Sequence, residues 1–367
     1  MDRILLVGLG NLGAHVLDGL LRSGDGVEIV VAGREPATMH TRVNLAVFSA
    51  MQVRSAVPAV RCVRLDLSDV DAAAETVAAA RPDVVVNCAT LHPYPLVGSL
   101  PRAVRERLAE VGLGPWLPMH LALADRLMRA VADSGLSTVV INCAYPDAVN
   151  PALAGVGRAP LAGSGNVANN EPAIRRAIAD ETGVPLVEVT VRMVMHHVVS
   201  HRIHRLGDAG GAPFHLWSRP GGIPPERLFR LLATRYRREH GDTGRMLAAA
   251  STVALVSALL GDDVRVLHVP GPQGLPGGYP AEVSRHRLTI VPPDGLPTAT
   301  AVGLNTAAQR FDGIEKIEPD GTVCLTARAV EVFAAELGYR CERFTVDEST
   351  ERAVELRARC AERAARG

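Results

Sequence analysis

The beginning of the chain carries the pattern that most restricts its fold. An apolar run, RILLVGL, leads into Gly8, Gly10 and Gly13, and these glycines open a segment whose apolar residues recur at helical spacing. Glycine tolerates the backbone of a tight turn and lets other groups come close to the main chain. The segment therefore predicts a buried strand, a tight turn and a helix.

The same alternation continues further along the chain. GVEIVVAGRE, AVRCVRLDLS, DVVVNCATL and STVVINCAYPD predict further buried strands, and helical patterns such as DVDAAAETVAAARP separate them. This alternation is typical of a parallel sheet with crossover helices. We expect an α/β fold, with a Rossmann doubly wound parallel sheet in residues 1–155 and a C-terminal α+β domain in residues 156–367.

Glycines with this spacing between a strand and a helix are typical of dinucleotide-binding turns. The first glycine permits the turn, the second lets the main chain approach a pyrophosphate, and the third lets the helix pack closely on the strand. The N-terminus of the helix then faces the phosphates with its partial positive charge. The predicted cofactor contacts in this turn are Gly8, Gly10, Asn11, Leu12 and Gly13.

The end of the second predicted strand bears on which dinucleotide is bound. Gly33 and Arg34 stand there, and a guanidinium suits the 2′-phosphate of NADP. The adjacent Glu35 offers instead the acid that NAD enzymes use on the ribose hydroxyl. We predict NADP as the favoured cofactor, with NAD as the alternative. Further cofactor contacts are expected where later strands end, at Asn87, Ala89, Thr90, Asn142 and Tyr145.

Composition limits the partners and the compartment. Lys plus Arg and Asp plus Glu number 39 each, so no net charge attracts nucleic acid or an anionic membrane. No apolar run reaches the length of a membrane span. The six cysteines form no CxxC pair, and thiols in apolar strands behave as small hydrophobic groups. We expect a cytoplasmic protein whose partner is a small-molecule substrate, not nucleic acid or a membrane.

The central part of the chain resembles a known superfamily. STVVINCAYPDAVNPAL, GSGNVANNEPAIRRAIADETGV and VEVTVRMVMHHVV follow one another within residues 137–199. Their order and spacing resemble the lactate/malate dehydrogenases, in which a strand leads to Asn-Pro, then Gly-Ser-Gly, a helix with Asp and Arg, and a strand with the catalytic histidine. The earlier VRLDLSDVDAAAETVAAARPDVVVNCA is closer to saccharopine-dehydrogenase-like and extended short-chain proteins. The resemblance implies a divergent NAD(P)-dependent oxidoreductase.

The resemblance also implies roles for individual residues. His197, with His196 beside it, falls at the position of the family's catalytic histidine. Asn169, or Asn170 if one residue is inserted, stands where the family has the aspartate that orients this histidine. Arg175 lies about a turn beyond the position of the family's arginine for the substrate carboxylate. A small polar substrate that bears a carboxylate is therefore expected.

The chemistry of the histidines supports this interpretation. Hydride transfer to or from a carbinol needs a proton acceptor with a pKa near neutrality, which imidazole supplies. We predict an alternating strand through MVMHHVVSH, which places His197 and His201 on one face and His196 on the other.

A long segment after the fourth predicted strand is a candidate cover for the substrate. NCATLHPYPLVGSLPRAVRERLAEVGLGPW follows the carboxyl end of that strand, the edge at which open α/β sheets bind ligands. Long loops at such edges often carry binding residues. Together with the central stretch, the predicted substrate contacts are His92, Tyr94, Arg102, Asn170 and His201.

Two other functions stay open. Cys143 and the histidines at 196, 197 and 201 are residue types that hold divalent transition metals. Family 4 glycosidases, which share the lactate/malate dehydrogenase architecture, combine NAD with a metal on Cys and His, and a redox-assisted hydrolase or lyase of that kind is the second hypothesis. Because Cys143 lies in an apolar strand, we predict no metal. A non-catalytic NADP-binding module is the third hypothesis, favoured if the histidines face solvent.

One helix suggests an assembly. PWLPMHLALADRLMRAVADSG is apolar around much of its circumference, which is more than one sheet can cover. Either the C-terminal domain or a second subunit must bury the excess. We predict a homodimer.

Overall fold

The computed structural model describes residues 1–23, 26–92, 94–239, 241 and 244–366. The first part alternates strands and helices: β1 (Asp2–Val7), α1 (Asn11–Ser23), β2 (Val27–Gly33), α2 (Pro36–Met51), β3 (Ala59–Arg64), α3 (Val70–Ala80), β4 (Val84–Asn87), α4 (Tyr94–Gly98), α5 (Arg102–Glu110), α6 (Leu117–Asp133), β5 (Val139–Asn142), α7 (Pro146–Ala154) and β6 (Ala162–Gly163).

The rest mixes helices with short strands: α8 (Glu171–Thr182), β7 (Thr190–Val194), α9 (His197–Ile203), β8 (His215–Arg219), α10 (Pro225–Ala233), α11 (Arg245–Leu260), β9 (Arg265–Pro270), β10 (Gly278–Ser284), β11 (Arg287–Ile290), α12 (Thr298–Ala308), β12 (Ile314–Ile317), β13 (Val323–Leu325), α13 (Ala327–Leu337), β14 (Arg343–Phe344) and α14 (Ser349–Ala365). Within the described ranges, every helix is too short or too polar to span a bilayer.

The first six strands form one parallel sheet in the order β3, β2, β1, β4, β5, β6. The chain builds outward from β1 through β2 and β3, and then returns to place β4 on the other side of β1. The predicted Rossmann doubly wound sheet is thereby confirmed. The connections that follow β1 and β4 leave the sheet on opposite sides, and this divergence opens a crevice at the carboxyl ends of the two strands.

Helices cover both faces of the sheet, which explains why its strands are continuously apolar. In β1, Ile4 and Leu6 join a core with α1 and α11, whereas Leu5 and Val7 join a core with α3 and α6. Successive strand residues point to opposite faces, so a strand that is covered on both faces needs apolar residues at every position.

Elements from the second half of the chain help to build this sheet. α11 packs along α1, where Val253 lies so close to Gly19 that a Cβ on this glycine would be 2.8 Å from a methyl group of the valine. β6 pairs with β5 beyond residue 155. The division into residues 1–155 and 156–367 stays a prediction, and the sheet and its core draw on both ranges.

The second half adds antiparallel sheets to this framework. β9, β10 and β11 form one sheet, β12, β13 and β14 another, and β7 pairs with β8. Helices α13 and α14 and strands β12 to β14 share a core with α5, α6 and α7. In this core the rings of Trp116 and Phe333 meet edge to face, with their centres 5.2 Å apart. The expected α+β character of the second half is confirmed.

The segment that carries the histidines differs from the prediction. The predicted strand ends at Val194, and α9 begins at His197 after His196, whose ring accepts from the main-chain N–H of Val198 as a helix cap. β-Branched residues such as those of this segment fit a strand by propensity, but the strand stops where its partner β8 stops. His197 and His201 do share a face, because they are one helical turn apart and not because they alternate along a strand.

The apolar helix behind the homodimer prediction is α6. Its side chains pack against α3 on one side and against α7 and α14 on the other, and Leu117, Met119 and Leu121 are fully buried. The chain itself thus covers the apolar circumference that suggested a second subunit. The homodimer stays a prediction, but the apolar surface of α6 no longer supports it.

The glycine turn supplies a test of the packing. A Cβ on Gly13 would lie 2.1 Å from the carbonyl oxygen of Gly8, whereas a Cβ on Gly10 would meet nothing within 4 Å. Gly13→Ala is therefore expected to lower the free energy of unfolding by about 1–3 kcal/mol through overpacking. Gly10→Ala is the matched control and should stay within about 0.5 kcal/mol of the unchanged protein. Urea titrations compare the two, and equal stabilities would contradict the close packing of this turn.

Candidate active site

The glycine turn lies at the crevice between β1 and β4. Gly8 has a φ of +91°, which lies in the left-handed region that glycine adopts without the strain other residues would meet. α1 begins at Asn11, so the free N–H groups of its first turn point toward this edge of the sheet. The open space beside Gly10 leaves room for a group to approach the main chain. The geometry fits the phosphates of a dinucleotide.

The end of β2 carries two exposed arginines. Arg34 directly follows the strand, and Arg42 of α2 reaches back to donate to the carbonyl oxygen of Leu9 at 2.7 Å. Hydrogen bonds from Ser68 lower the pKa of the nearby Asp66, and the charge of Arg34 adds to this effect. Positive charge therefore lies where the ribose next to the adenine would sit in a Rossmann site.

Asparagines join the ends of β4 and β5. Asn87 donates to Asn142 at 3.1 Å, Asn142 donates to Asn150 at 2.9 Å, and Asn150 donates to the carbonyl oxygen of Gly271 at 2.9 Å. The side chain of Asn87 also accepts from the N–H of Ala89 at 3.1 Å. Asn87 and Asn142 were predicted to contact the cofactor, but these hydrogen bonds occupy their buried amides. They hold the edge of the sheet in shape.

A buried carboxylate stands at the centre of the histidine cluster. Asp312 accepts from Nδ1 of His197 at 2.9 Å and from the hydroxyl of Tyr145 at 2.7 Å, both on Oδ2. Its Oδ1 accepts from the main-chain N–H of Leu113 at 2.8 Å. The residue that orients His197 is thus Asp312, and the prediction that Asn169 or Asn170 fills this role is wrong.

The charges of this cluster follow from its contacts. Burial disfavours a charged imidazole, but the carboxylate of Asp312 outweighs burial and raises the pKa of His197. Burial alone would raise the pKa of Asp312, yet His197, His196 and Tyr145 together hold it well below its ordinary value. Burial and the adjacent carboxylate raise the pKa of Tyr145 well above its ordinary value, so Tyr145 keeps its proton. His197 is the imidazole in this cluster whose pKa the adjacent carboxylate raises.

A row of rings extends from this centre. The ring of Tyr145 lies 5.3 Å from that of His197 and 6.0 Å from that of His120, and His120 stacks on His92 at 5.2 Å. On the other side, the exposed His201 stacks on His197 at 5.7 Å. The structure therefore brings together the predicted residues His92, Tyr145, His197 and His201.

Two further predicted residues border this row. Thr90 shares a hydrogen bond with Nδ1 of His120 at 3.0 Å. The half-exposed Tyr94 packs against His92 with ring centres 4.1 Å apart. Burial lowers the pKa of His92 to about 4 and that of His120 well below its ordinary value, so both imidazoles are neutral at pH 7.

Several polar atoms around these rings are buried and lack a partner in the described part of the chain. They are Nδ1 of His92, Nε2 of His120, Nε2 of His196 and Oδ1 of Asp147. Buried polar groups in folded proteins are almost always hydrogen-bonded. The unpartnered atoms near the pair of His197 and Asp312 therefore mark a place that fits a polar ligand.

Other predicted residues lie apart from the cluster. Arg175 donates to the carbonyl oxygens of Val189 and Leu186 at 3.0 and 2.9 Å, so its guanidinium braces a turn instead of facing His197. Arg102 is exposed and pairs with Glu106 at 2.7 Å. The catalytic role of Arg175 and the contact of Arg102 with the substrate stay predictions, and in this structure both guanidinium groups bond to neighbouring acceptors.

The asparagines before α8 have structural contacts. Asn170 is buried and donates to the carbonyl oxygen of Ser200 on α9 at 3.1 Å, so it positions the histidine helix. Its contact with the substrate stays a prediction. Asn169 lines a separate cleft of about 210 Å³ with Ser164, Ser251 and His268. Both asparagines also accept from Arg238, Asn169 through its main-chain oxygen and Asn170 through its side chain.

Three residues at the site escaped prediction. Asp312 follows no recognisable motif, and its only local mark is the glycine after it. His120 lies in a pattern that predicts a buried helix face, and a polar histidine on an apolar face could have marked it as a candidate site residue. Arg238 also bonds to Nδ1 of His204 at 2.9 Å, and burial lowers its pKa to about 10. None of its hydrogen bonds to described residues goes to a carboxylate, which leaves its charge for an anion.

Cys143 lies away from the histidines. Its sulfur contacts the hydroxyls of Ser164 and Thr252 at 3.2 and 3.8 Å. Among the residues that the structure describes, no group of three His, Cys, Asp or Glu side chains is placed to hold a metal ion. The ligand set of the metal-dependent hypothesis is therefore not assembled here.

The fold and the crevice define an α/β protein with a doubly wound parallel sheet, and comparisons with known proteins specify the architecture. The model of the NAD dependent epimerase/dehydratase family matches residues 4–102. No curated protein matches the sequence.

Solved structures match over most of the chain. MGS-M5, a lactate dehydrogenase from a Medee basin deep-sea metagenome library, aligns with a TM-score of 0.57 at 12% identity, over 84% of this chain and 96% of its own. Malate dehydrogenase from Plasmodium falciparum aligns with a TM-score of 0.54 at 13% identity, over 97% of this chain and 99% of its own. Lactate dehydrogenase from Eimeria maxima with NADH and oxamate aligns with a TM-score of 0.55 at 14% identity, over 84% of this chain and 92% of its own. The predicted resemblance to the lactate/malate dehydrogenases is confirmed at the level of the fold.

The contact between His197 and Asp312 predicts how the imidazole of His197 titrates. Asp312→Asn removes the negative charge that favours the imidazolium, so the pKa of His197 should fall. In the unchanged protein, the raised pKa adds stability that is fully present below the unfolded pKa of about 6.5 and is lost as the pH rises through the folded value. The variant should lose this dependence on pH.

NMR titration of the histidine ring protons and urea unfolding at several pH values measure the two effects. Asp125→Asn is the control, because Asp125 is a buried carboxylate that pairs with Arg158 at 2.8 Å and not with a histidine. An unchanged pKa of His197 in Asp312→Asn would contradict the assignment.

Proposed function

We propose that the protein is an NAD(P)-dependent oxidoreductase that acts on the carbinol or carbonyl group of a small polar substrate bearing a carboxylate. The observation that carries the proposal is the bond between His197 and the buried Asp312. This pair stands beside Tyr145, which directly precedes α7 at the carboxyl end of β5. The glycine turn lies at the same edge of the sheet.

The residues of this chain supply the proton chemistry. Nδ1 of His197 is bonded to Asp312, which leaves Nε2 for the substrate, and the side chain is 18% exposed and so can be reached. Nε2 accepts the hydroxyl proton of an alcohol as hydride leaves its carbon, and it returns a proton to a carbonyl oxygen in the reverse direction. Asp312 holds the ring and stabilises the imidazolium. The bound nicotinamide supplies the hydride acceptor or donor.

The other rings orient the substrate without competing for the proton. His92 and His120 are neutral, and each has a buried nitrogen free to hydrogen-bond to a polar ligand. Arg238 bonds to His204, whose ring meets that of His201, and it is the group that we assign to a substrate carboxylate. Arginine suits this role because its planar guanidinium matches a carboxylate in two hydrogen bonds.

Two features favour this proposal over the other hypotheses. A non-catalytic module would leave the histidines facing solvent, whereas His197 is mostly buried against Asp312 and Tyr145. The metal-dependent reaction would need Cys143 and the histidines as one ligand set, and among the described residues no group of three such side chains is placed to hold a metal ion. A cytoplasmic location and a homodimer remain parts of the proposal that rest on the sequence.

Loss of the proton acceptor tests the reaction. A panel of small 2-hydroxy and 2-oxo acids with NADP and NAD identifies a substrate by absorbance of the reduced nicotinamide. His197→Gln should then lower kcat by about 10²- to 10⁴-fold, because it removes the general acid and base. Dinucleotide affinity should stay unchanged. His215→Gln on β8 is the control for loss of an imidazole elsewhere, and a fully active His197→Gln would exclude the proposed role.

The preference for NADP is proposed from Arg34, with Arg42 as a second positive charge at the turn. Fluorescence titration should show tighter binding of NADPH than of NADH, and Arg34→Asp should narrow or reverse this difference because it repels the 2′-phosphate. Glu35→Gln is the matched variant and should not weaken NADPH binding. Equal affinities in the unchanged protein would contradict the preference for NADP. NADH binding that depends on Glu35 would assign the site to NAD.

A further inference from the structure

Two cysteines lie side by side at the edge of the sheet where the dinucleotide is proposed to bind. Cys88 directly follows β4 and Cys143 directly follows β5, and Asn87 pairs with Asn142 just before them. The main-chain N–H of Cys143 donates to the carbonyl oxygen of Asn87 at 2.9 Å. Adjacent strands are about 4.8 Å apart, within the Cα separation of about 4.4–6.8 Å that a disulfide spans.

A hydrogen bond between the two thiols shifts their pKa values in opposite directions. The hydrogen bond with Cys88, supported by those with Ser164 and Thr252, lowers the pKa of Cys143. The hydrogen bond with Cys143, together with burial, raises the pKa of Cys88 well above its ordinary value. A more acidic thiol beside a less acidic one is the arrangement in which the first reacts with an oxidant and the second resolves the product.

The pair also abuts the glycine turn. A Cβ on Gly8 would lie 3.2 Å from the carbonyl carbon of Cys88, and a Cβ on Gly13 would lie 3.6 Å from its Cβ. Both cysteines are free, and each residue is partly exposed. The thiols stand directly behind the main chain that would hold the dinucleotide phosphates.

We propose that Cys88 and Cys143 form a peroxide-sensitive thiol pair that closes to a disulfide behind the glycine turn. The thiolate of Cys143 attacks one oxygen of hydrogen peroxide, the O–O bond breaks, and a sulfenic acid forms with release of hydroxide, which takes up the proton lost by the thiol. The sulfur of Cys88 then attacks the sulfenic sulfur, and the hydroxyl leaves as water with the proton of Cys88. Two thiols and one peroxide give one disulfide and two waters.

The disulfide has a consequence for the proposed dinucleotide site. Its sulfur atoms lie about 2.05 Å apart, closer than two hydrogen-bonded thiols, so Cys88 must move relative to Gly8 and Gly13. We expect NADPH affinity to fall at least tenfold on oxidation and to return on reduction with dithiothreitol. This consequence rests on the proposed function, whereas formation of the disulfide does not.

Peptide mapping of the full chain tests the pair. After stoichiometric peroxide and alkylation, the protein should lose two of its six thiols and yield one cross-linked peptide that joins Cys88 to Cys143. Cys143→Ser should abolish the cross-link, and Cys88→Ser should accumulate a sulfenic acid that dimedone traps. Cys62→Ser is the matched control, since Cys62 is also partly exposed but burial raises its pKa, and it should leave the cross-link unchanged.

The outcomes separate the two proposals. Absence of the cross-linked peptide, or equally fast oxidation in Cys143→Ser, overturns the thiol pair. A cross-link with unchanged NADPH affinity overturns its effect on the turn. If the cross-link forms but neither redox form binds NADPH or NADH, the thiol pair stands and the proposed dinucleotide function fails.

Discussion

The candidate site depends on one buried carboxylate. Asp312 receives hydrogen bonds from a residue that follows β5, from the main chain after α5 and from the first residue of α9. Three separate parts of the fold are thereby tied to one side chain. Such a group is costly to bury unless its partners compensate for lost hydration, and here an imidazole, a hydroxyl and an amide do so. The network that lowers the pKa of Asp312 is the same network that raises the pKa of His197.

The sheet could be predicted because its signals are local. In β1, every position from Ile4 to Val7 is apolar, and the glycines follow at once, so a short window of sequence contains the strand, the turn and the start of the helix. The left-handed φ of Gly8 and the contact between Gly8 and Gly13 are the physical causes of the motif. The strand-to-helix change at His197 was missed, because Val198 and Val199 favour a strand by propensity and tertiary packing decided otherwise.

The site could be predicted only in part, for the opposite reason. His197 was found through a resemblance, but its partner Asp312 lies 115 residues further along the chain and has no motif around it. Arg175 stood at a plausible spacing and yet turned toward carbonyl oxygens on its own side of α8. Such pairings depend on how elements from both halves pack, and no window of sequence contains that information. The chain thus shares the fold of the lactate/malate dehydrogenases, and its His197 pairs with a carboxylate that the resemblance did not indicate.

The packing of α11 against α1 has a consequence for biosynthesis. Domains generally fold as units while the ribosome adds residues from the N-terminus. Here one face of the sheet is covered only in part, by α1 and α2, until α11 has left the ribosome, since α11 completes the core on that face and ends at Leu260. The nascent chain therefore exposes an apolar surface beside the glycine turn until α11 has been synthesised. During this interval the chain is most dependent on chaperones.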